Sequence, residues 1–186
     1  MIFTLQELID VIVMTVFVGY IFKDSFPKAK IEYDPLLEYS SSHYKDLWRA
    51  ALITAPGIIL HELAHKLVAL FFGLSATFHA AYGWLGIGLL LRLLNTGFVF
   101  FVPGYVSIAG GASVFDHVLI AFAGPFLNLV LWGCCAVLLR FNLLNQHTTT
   151  LLMVRHINLF LFIFNILPIP GFDGYTVWSG LFSMIF

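Results

Sequence analysis

Long apolar runs, separated by short polar or glycine-rich stretches, set the organisation of this chain. A membrane-crossing helix needs about 20 mostly apolar residues. Residues 3–22 meet that requirement and end at Lys23, and residues 50–73 form a second run. From Val118 to Leu139 there is no charged residue, and Arg140 closes that third run. A fourth starts near Leu151 and continues to Phe186, interrupted by Pro168 and Pro170. Residues 76–111 follow a different pattern. "YGWLGIGLLLRLL" is apolar but holds three glycines and Arg92, whereas "GFVFFVPGYVSIAGG" is aromatic and β-branched between glycines and reads as strand. The pattern predicts an all-α polytopic membrane protein. It has about four transmembrane helices and a small β-hairpin or re-entrant element between the second and third. An extra crossing within 76–111 is the alternative.

Composition agrees with a bilayer as solvent. The 186 residues are 60% hydrophobic and 10% charged, against roughly 45–50% and about 25% in soluble domains. The formal charge of −1 provides no basic patch and argues against nucleic acid as a partner. Cys134 and Cys135, adjacent within the third run, read as small hydrophobes and imply no disulfide framework. The first run has no basic leader and carries Glu7 and Asp10, so it is expected to be a retained helix rather than a removed signal. Residues 23–49, with five basic and five acidic residues, are expected to be a loop.

Candidate chemistry begins in the second run with "HELAH" at 61–65. On a helix, residues four apart share a face, so His61 and His65 stack one turn apart and can hold one zinc ion, with Glu62 beside it as general base. A chance match is the bland reading of so short a motif. The membrane weighs against it, because each ionisable group at bilayer depth costs on the order of 2.5–3.5 kcal/mol. Lys66 follows directly and could snorkel to a surface only if the motif lies near one.

A catalytic zinc usually takes three protein ligands and keeps one position open. "NILPIPGFDG" at 165–174 offers the third. Pro168 and Pro170 break the helix, Gly171 and Gly174 allow tight backbone geometry, and Asp173 supplies a carboxylate where an unpaired one would be costly. The alternative for Asp173 is a helix N-cap.

Together, "HELAH" and "NILPIPGFDG" resemble the site-2 protease family of intramembrane zinc metalloproteases, which pairs HExxH on one transmembrane helix with N-x-x-P-x-P-x-x-D-G on a later one. Asn165, Pro168, Pro170, Asp173 and Gly174 carry the second match. "AGPFLN" at 123–128 resembles the family's G-P-x-x-N, and "FVPGYVSIAGG" loosely resembles its Pro-Gly strand. The resemblance implies one Zn2+ per chain on His61, His65 and Asp173, with Glu62 catalytic. It also implies that Asn165 orients substrate or the oxyanion, and that Asn128 supports the core. The chain then reads as one membrane-embedded metalloprotease domain over 1–186, with 1–22 a peripheral helix and 50–186 the catalytic core. It ends soon after Asp173, leaving no room for the later helices of some family members, and it carries no PDZ-like module.

The activity so implied is intramembrane endoproteolysis. Substrates are expected to be transmembrane proteins with helix-destabilising residues, and the enzyme a multi-pass protein of a cell membrane. Extended substrate could pair with the 97–108 strand. Two other functions fit parts of the sequence. One is a membrane haem protein using histidines such as His79, His117 and His156. The other is a non-catalytic metal-dependent scaffold for transmembrane helices, against which the intact Glu62 argues. His43 and His147 are expected to be solvated. The basic residues of 23–49 place that loop in the cytoplasm, whereas the resemblance implies the opposite orientation.

Overall fold

The computed structural model describes residues 3–26, 38–96 and 102–186, the side chains of 38–43 excepted. Six α-helices are present among them: α1 (Leu5–Phe22), α2 (Glu38–Phe71), α3 (Tyr82–Leu93), α4 (Val114–Arg140), α5 (Thr148–Ile166) and α6 (Asp173–Ile185). Strands β1 (Ser75–Ala80) and β2 (Gly104–Ala109) form a two-stranded sheet. Four helical segments are long and apolar enough to cross a membrane: Leu5–Phe22, Tyr44–Phe71, Val114–Arg140 and Asn145–Ile166. The protein is therefore a helical membrane protein with a small sheet, as the apolar runs predict.

The strands pair antiparallel. Ser75 Oγ donates to the Ala109 carbonyl and Ser107 Oγ to the Thr77 carbonyl, while the Ala81 amide donates to Pro103, so numbers rise on one strand as they fall on the other. The pair is not a tight hairpin, because α3 lies between its strands. The three glycines of "YGWLGIGLLLRLL" do not stop this helix, and an added Cβ at Gly83 or Gly86 would meet nothing within 4 Å. At 12 residues, or about 18 Å, α3 is too short to cross a bilayer core. Residues 97–101, part of the expected strand, lie outside the described residues.

The second helix begins earlier than its apolar run. Residues 38–49 were expected in a loop, yet α2 starts at Glu38. The segment holds no glycine or proline, and Leu47, Trp48 and Ala50 extend the apolar pattern backwards. At the other end of the chain the proline break is as expected. Leu167, the C-cap of α5, is extended at ψ 142 because Pro168 follows it, and Gly171 turns the chain at φ +95.

The chain divides into two compact units, Met1–Pro56 with His79–Tyr105, and Gly57–Phe78 with Val106–Phe186. In the first, α1 opens with a capping box: the Glu7 amide donates to Thr4 Oγ1 and the Thr4 amide to Glu7 Oε2. Asp10 is buried and accepts from Gln6 Nε2, the Tyr82 hydroxyl and the Ala80 amide. These bonds account for an acid in an apolar helix. Gly19 lets α1 approach α2, since a Cβ there would lie 2.8 Å from Ala51 Cβ.

In the second unit α4 is central and packs against both α5 and α6. Val118, Ala121 and Val177 form one cluster with Phe122, and Ala69, Leu74 and Ile120 form another. Gly180 keeps α6 close to α4, where a Cβ would fall 2.4 Å from Val118 Cγ2.

Candidate metal centre

His61 and His65 occupy adjacent turns of α2, both buried. Each ring is held by its Nδ1. His65 Nδ1 lies 2.7 Å from the Ile120 carbonyl, and His61 Nδ1 lies 2.5 Å from Asn128 Oδ1. A carbonyl oxygen only accepts, so Nδ1 of each ring carries the hydrogen and Nε2 presents a lone pair. The two Nε2 atoms are 3.0 Å apart. Asp173 Oδ2 lies 3.0 Å from the first and 3.3 Å from the second.

Asp173 reaches this point through the proline break. It is the first residue of α6, Phe172 holds the cap position, and no side chain caps the helix. The capping role considered for Asp173 is thus not the one it plays. Burial pushes its carboxyl up, but the His61 and His65 imidazoles outweigh that and hold it below the ordinary carboxylate range. Its side chain is 25% exposed against 7% and 8% for the histidines, so the cluster opens on the carboxylate side.

With both Nδ1 atoms engaged, His61 Nε2, His65 Nε2 and Asp173 Oδ2 converge on one point, where a metal cation can replace a proton as the partner of the carboxylate. Tetrahedral zinc with bonds near 2.0–2.1 Å sets donor atoms about 3.3 Å apart, and the observed 3.0, 3.0 and 3.3 Å match that closely. His61, His65 and Asp173 therefore fit a zinc ion with a fourth position left over. Along 180 residues, 94% of the chain and 84% of the relative, the sequence is 33% identical to a Methanocaldococcus jannaschii protein named as a candidate zinc metalloprotease. The chain belongs to that zinc metalloprotease family. No family model and no solved structure matches it.

Of the other residues expected in a metalloprotease site, Glu62 and Asn128 interact with this centre. Glu62, half-buried, interacts electrostatically with His61, His65 and Asp173. Asn128 is fully buried against His61. Asn165 is half-buried in the last turn of α5, and Pro168 and Pro170 are exposed in the break. Lys66 does not snorkel: it is 2% exposed and has a partner within the protein. Gly124 passes so near the ligands that a Cβ would sit 2.4 Å from His65 Nε2 and 2.6 Å from His61 Nε2.

Two polar residues escaped the sequence reading, Gly57 through its carbonyl and Asn158 through its amide. Asn128 Nδ2 donates to the Gly57 carbonyl at 3.1 Å and to Asn158 Oδ1 at 2.9 Å. The one signal for Asn158 is an amide standing alone in "INLFLFIF".

Gly174 fixes the entry of α6. A Cβ there would meet the Ile166 carbonyl carbon at 2.3 Å and the Ile166 and Leu167 oxygens at 2.4 Å. Trp178 Nε1 donates to the same Ile166 oxygen at 2.9 Å. Backbone atoms cannot yield as a flexible side chain can, so Gly174→Ala is expected to destabilise by about 1–3 kcal/mol and to displace Asp173. Thermal unfolding, with and without zinc, checks this. The variant should unfold earlier and gain less from zinc than wild type.

Proposed function

We propose that the chain is an intramembrane zinc endopeptidase of the site-2 protease kind, cutting peptide bonds within or near transmembrane segments. The observation that carries this reading is the convergence of His61 Nε2, His65 Nε2 and Asp173 Oδ2 beside Glu62, with both histidines and the glutamate on α2, a helix long and apolar enough to cross a membrane. The same three donors would hold a zinc ion, which would supply water activated at neutral pH and a Lewis acid for the scissile carbonyl.

The remaining steps belong to side chains. Glu62 takes the proton from the attacking water and passes it to the leaving amine, so the amide bond breaks to an acid and an amine. Asn165 donates to the developing oxyanion and orients the substrate chain. A helical peptide bond is hydrogen-bonded and shielded, so the substrate must unwind locally first. Transmembrane substrates with Gly, Pro or Asn near the cut are accordingly favoured, and the bilayer is the enzyme's medium. The enzyme is a multi-pass protein of a cell membrane, and its metal ligands and catalytic residues form one catalytic core.

Glu62→Gln tests the assignment with little change of shape. Zinc content per chain should equal wild type, while cleavage of a Gly/Pro-containing transmembrane peptide in proteoliposomes should fall about 10²–10⁴-fold. Cleavage at the wild-type rate would remove Glu62 from the chemistry.

A further inference from the structure

Among the described residues of α5, Asn158 alone is buried, on a helix otherwise half-exposed or exposed. A polar side chain is the least expected one to be buried there. Its hydrogen bonds explain the choice. Asn158 Nδ2 donates at 2.8 Å to the Val154 carbonyl, which can only accept. That turns Asn158 Oδ1 toward Asn128, 2.9 Å away. Asn128 then spends both amide hydrogens, one on Asn158 Oδ1 and one on the Gly57 carbonyl. Its own Oδ1 is left to face His61 Nδ1 at 2.5 Å. Each link has one permitted direction, and the chain ends with the hydrogen on Nδ1 and the lone pair of Nε2 aimed at the metal position.

His65 offers a comparison within the same site. Its Nδ1 rests on the Ile120 carbonyl, a backbone group with fixed polarity. His61 has a side-chain amide in that place, whose orientation the Gly57 carbonyl and Asn158 Oδ1 hold together. The space around the amides is also tight, since a Cβ on Gly57 would fall 2.9 Å from Asn158 Oδ1.

We infer that Asn158 is a positioning residue of the metal site, which together with the Gly57 carbonyl holds the Asn128 amide and so fixes the hydrogen-bond polarity, and the ligating nitrogen, of His61. This rests on the metalloprotease reading above, in which His61, His65 and Asp173 hold zinc. Outer partners of metal ligands commonly contribute 10–100-fold to metal affinity.

The test compares Asn158→Ala with wild type in the full chain, zinc-loaded in detergent, with ¹⁵N-labelled histidine. Zinc affinity, measured by chelator competition, should fall about 10–100-fold. Solvent exchange of the His61 Nδ1 proton should quicken at least about tenfold, while that of the His65 Nδ1 proton stays as in wild type. Both protons quickening together would reduce Asn158 to a general packing role and overturn the inference. Unchanged affinity and exchange would overturn it as well. If Asn158→Ala does not fold, Asn158→Ser reads the same two protons, because its hydroxyl can still donate to Val154 but is too short to reach Asn128. A wild-type chain that binds no zinc would instead defeat the metalloprotease reading itself, and this inference with it.

Discussion

Asp173→Ala is expected to weaken zinc binding by about 10²–10³-fold, with cleavage lost at ordinary zinc levels. The magnitude follows from structural zinc sites, where roughly 10–16 kcal/mol is shared among four ligands, or about 2.5–4 kcal/mol each. Among the described residues three donors converge here, and Oδ2 of Asp173 is the one that bears charge. Its removal also leaves the two imidazole Nε2 atoms, 3.0 Å apart, without a charged partner. Metal per chain after a chelator challenge is the measurement. Asp173→Asn, which keeps the volume, should lose most of the same affinity and so separates ligation from packing. Wild-type zinc content in both variants would place the third ligand elsewhere.

Gly124→Ala should abolish metal binding although no ligand is changed. On helix propensity alone, glycine to alanine in a helix interior stabilises by roughly 1 kcal/mol. Contact geometry reverses the sign at this position. The new methyl would lie 2.4 Å from His65 Nε2, 2.6 Å from His61 Nε2 and 2.7 Å from His61 Cε1. Neither ring can swing aside without giving up its buried Nδ1 hydrogen bond, at about 1–3 kcal/mol each. Gly133, on the same helix, provides the control, because a Cβ there meets nothing within 4 Å. Gly133→Ala should bind zinc as wild type and melt no lower. Equal zinc binding by both variants would show that α4 does not press on the ligands.

Much of this site is legible in the sequence because its signals are local. A four-residue spacing puts His61 and His65 on one face of α2 whatever the rest of the fold, and two prolines with a positive-φ glycine dictate the turn that carries Asp173 inward. The boundaries of the apolar runs likewise mark the long helices, since leaving the bilayer requires a change of composition. What could not be read depends on partners distant along the chain. Asn158 looks like any asparagine on an apolar helix until Asn128, 30 residues away, is seen against it. Gly124 forms part of a recognisable motif, but its role appears only when the His61 and His65 rings are in place. The state of α3 was left open, because its run is apolar while its three glycines count against a helix. The early start of α2 was missed because charge alone was read as a loop.

The distance along the chain between the ligands has a consequence for biosynthesis. His61 and Asp173 are 112 residues apart, and at about 5–20 residues per second the ribosome takes roughly 6–22 seconds to travel between them. Throughout that interval the nascent protein displays a two-histidine half-site with no carboxylate to complete it. The full set of three donors therefore exists only once α6 has been made and Asp173 has joined the two histidines. A chain in which α6 failed to dock would keep the two histidines without their carboxylate partner.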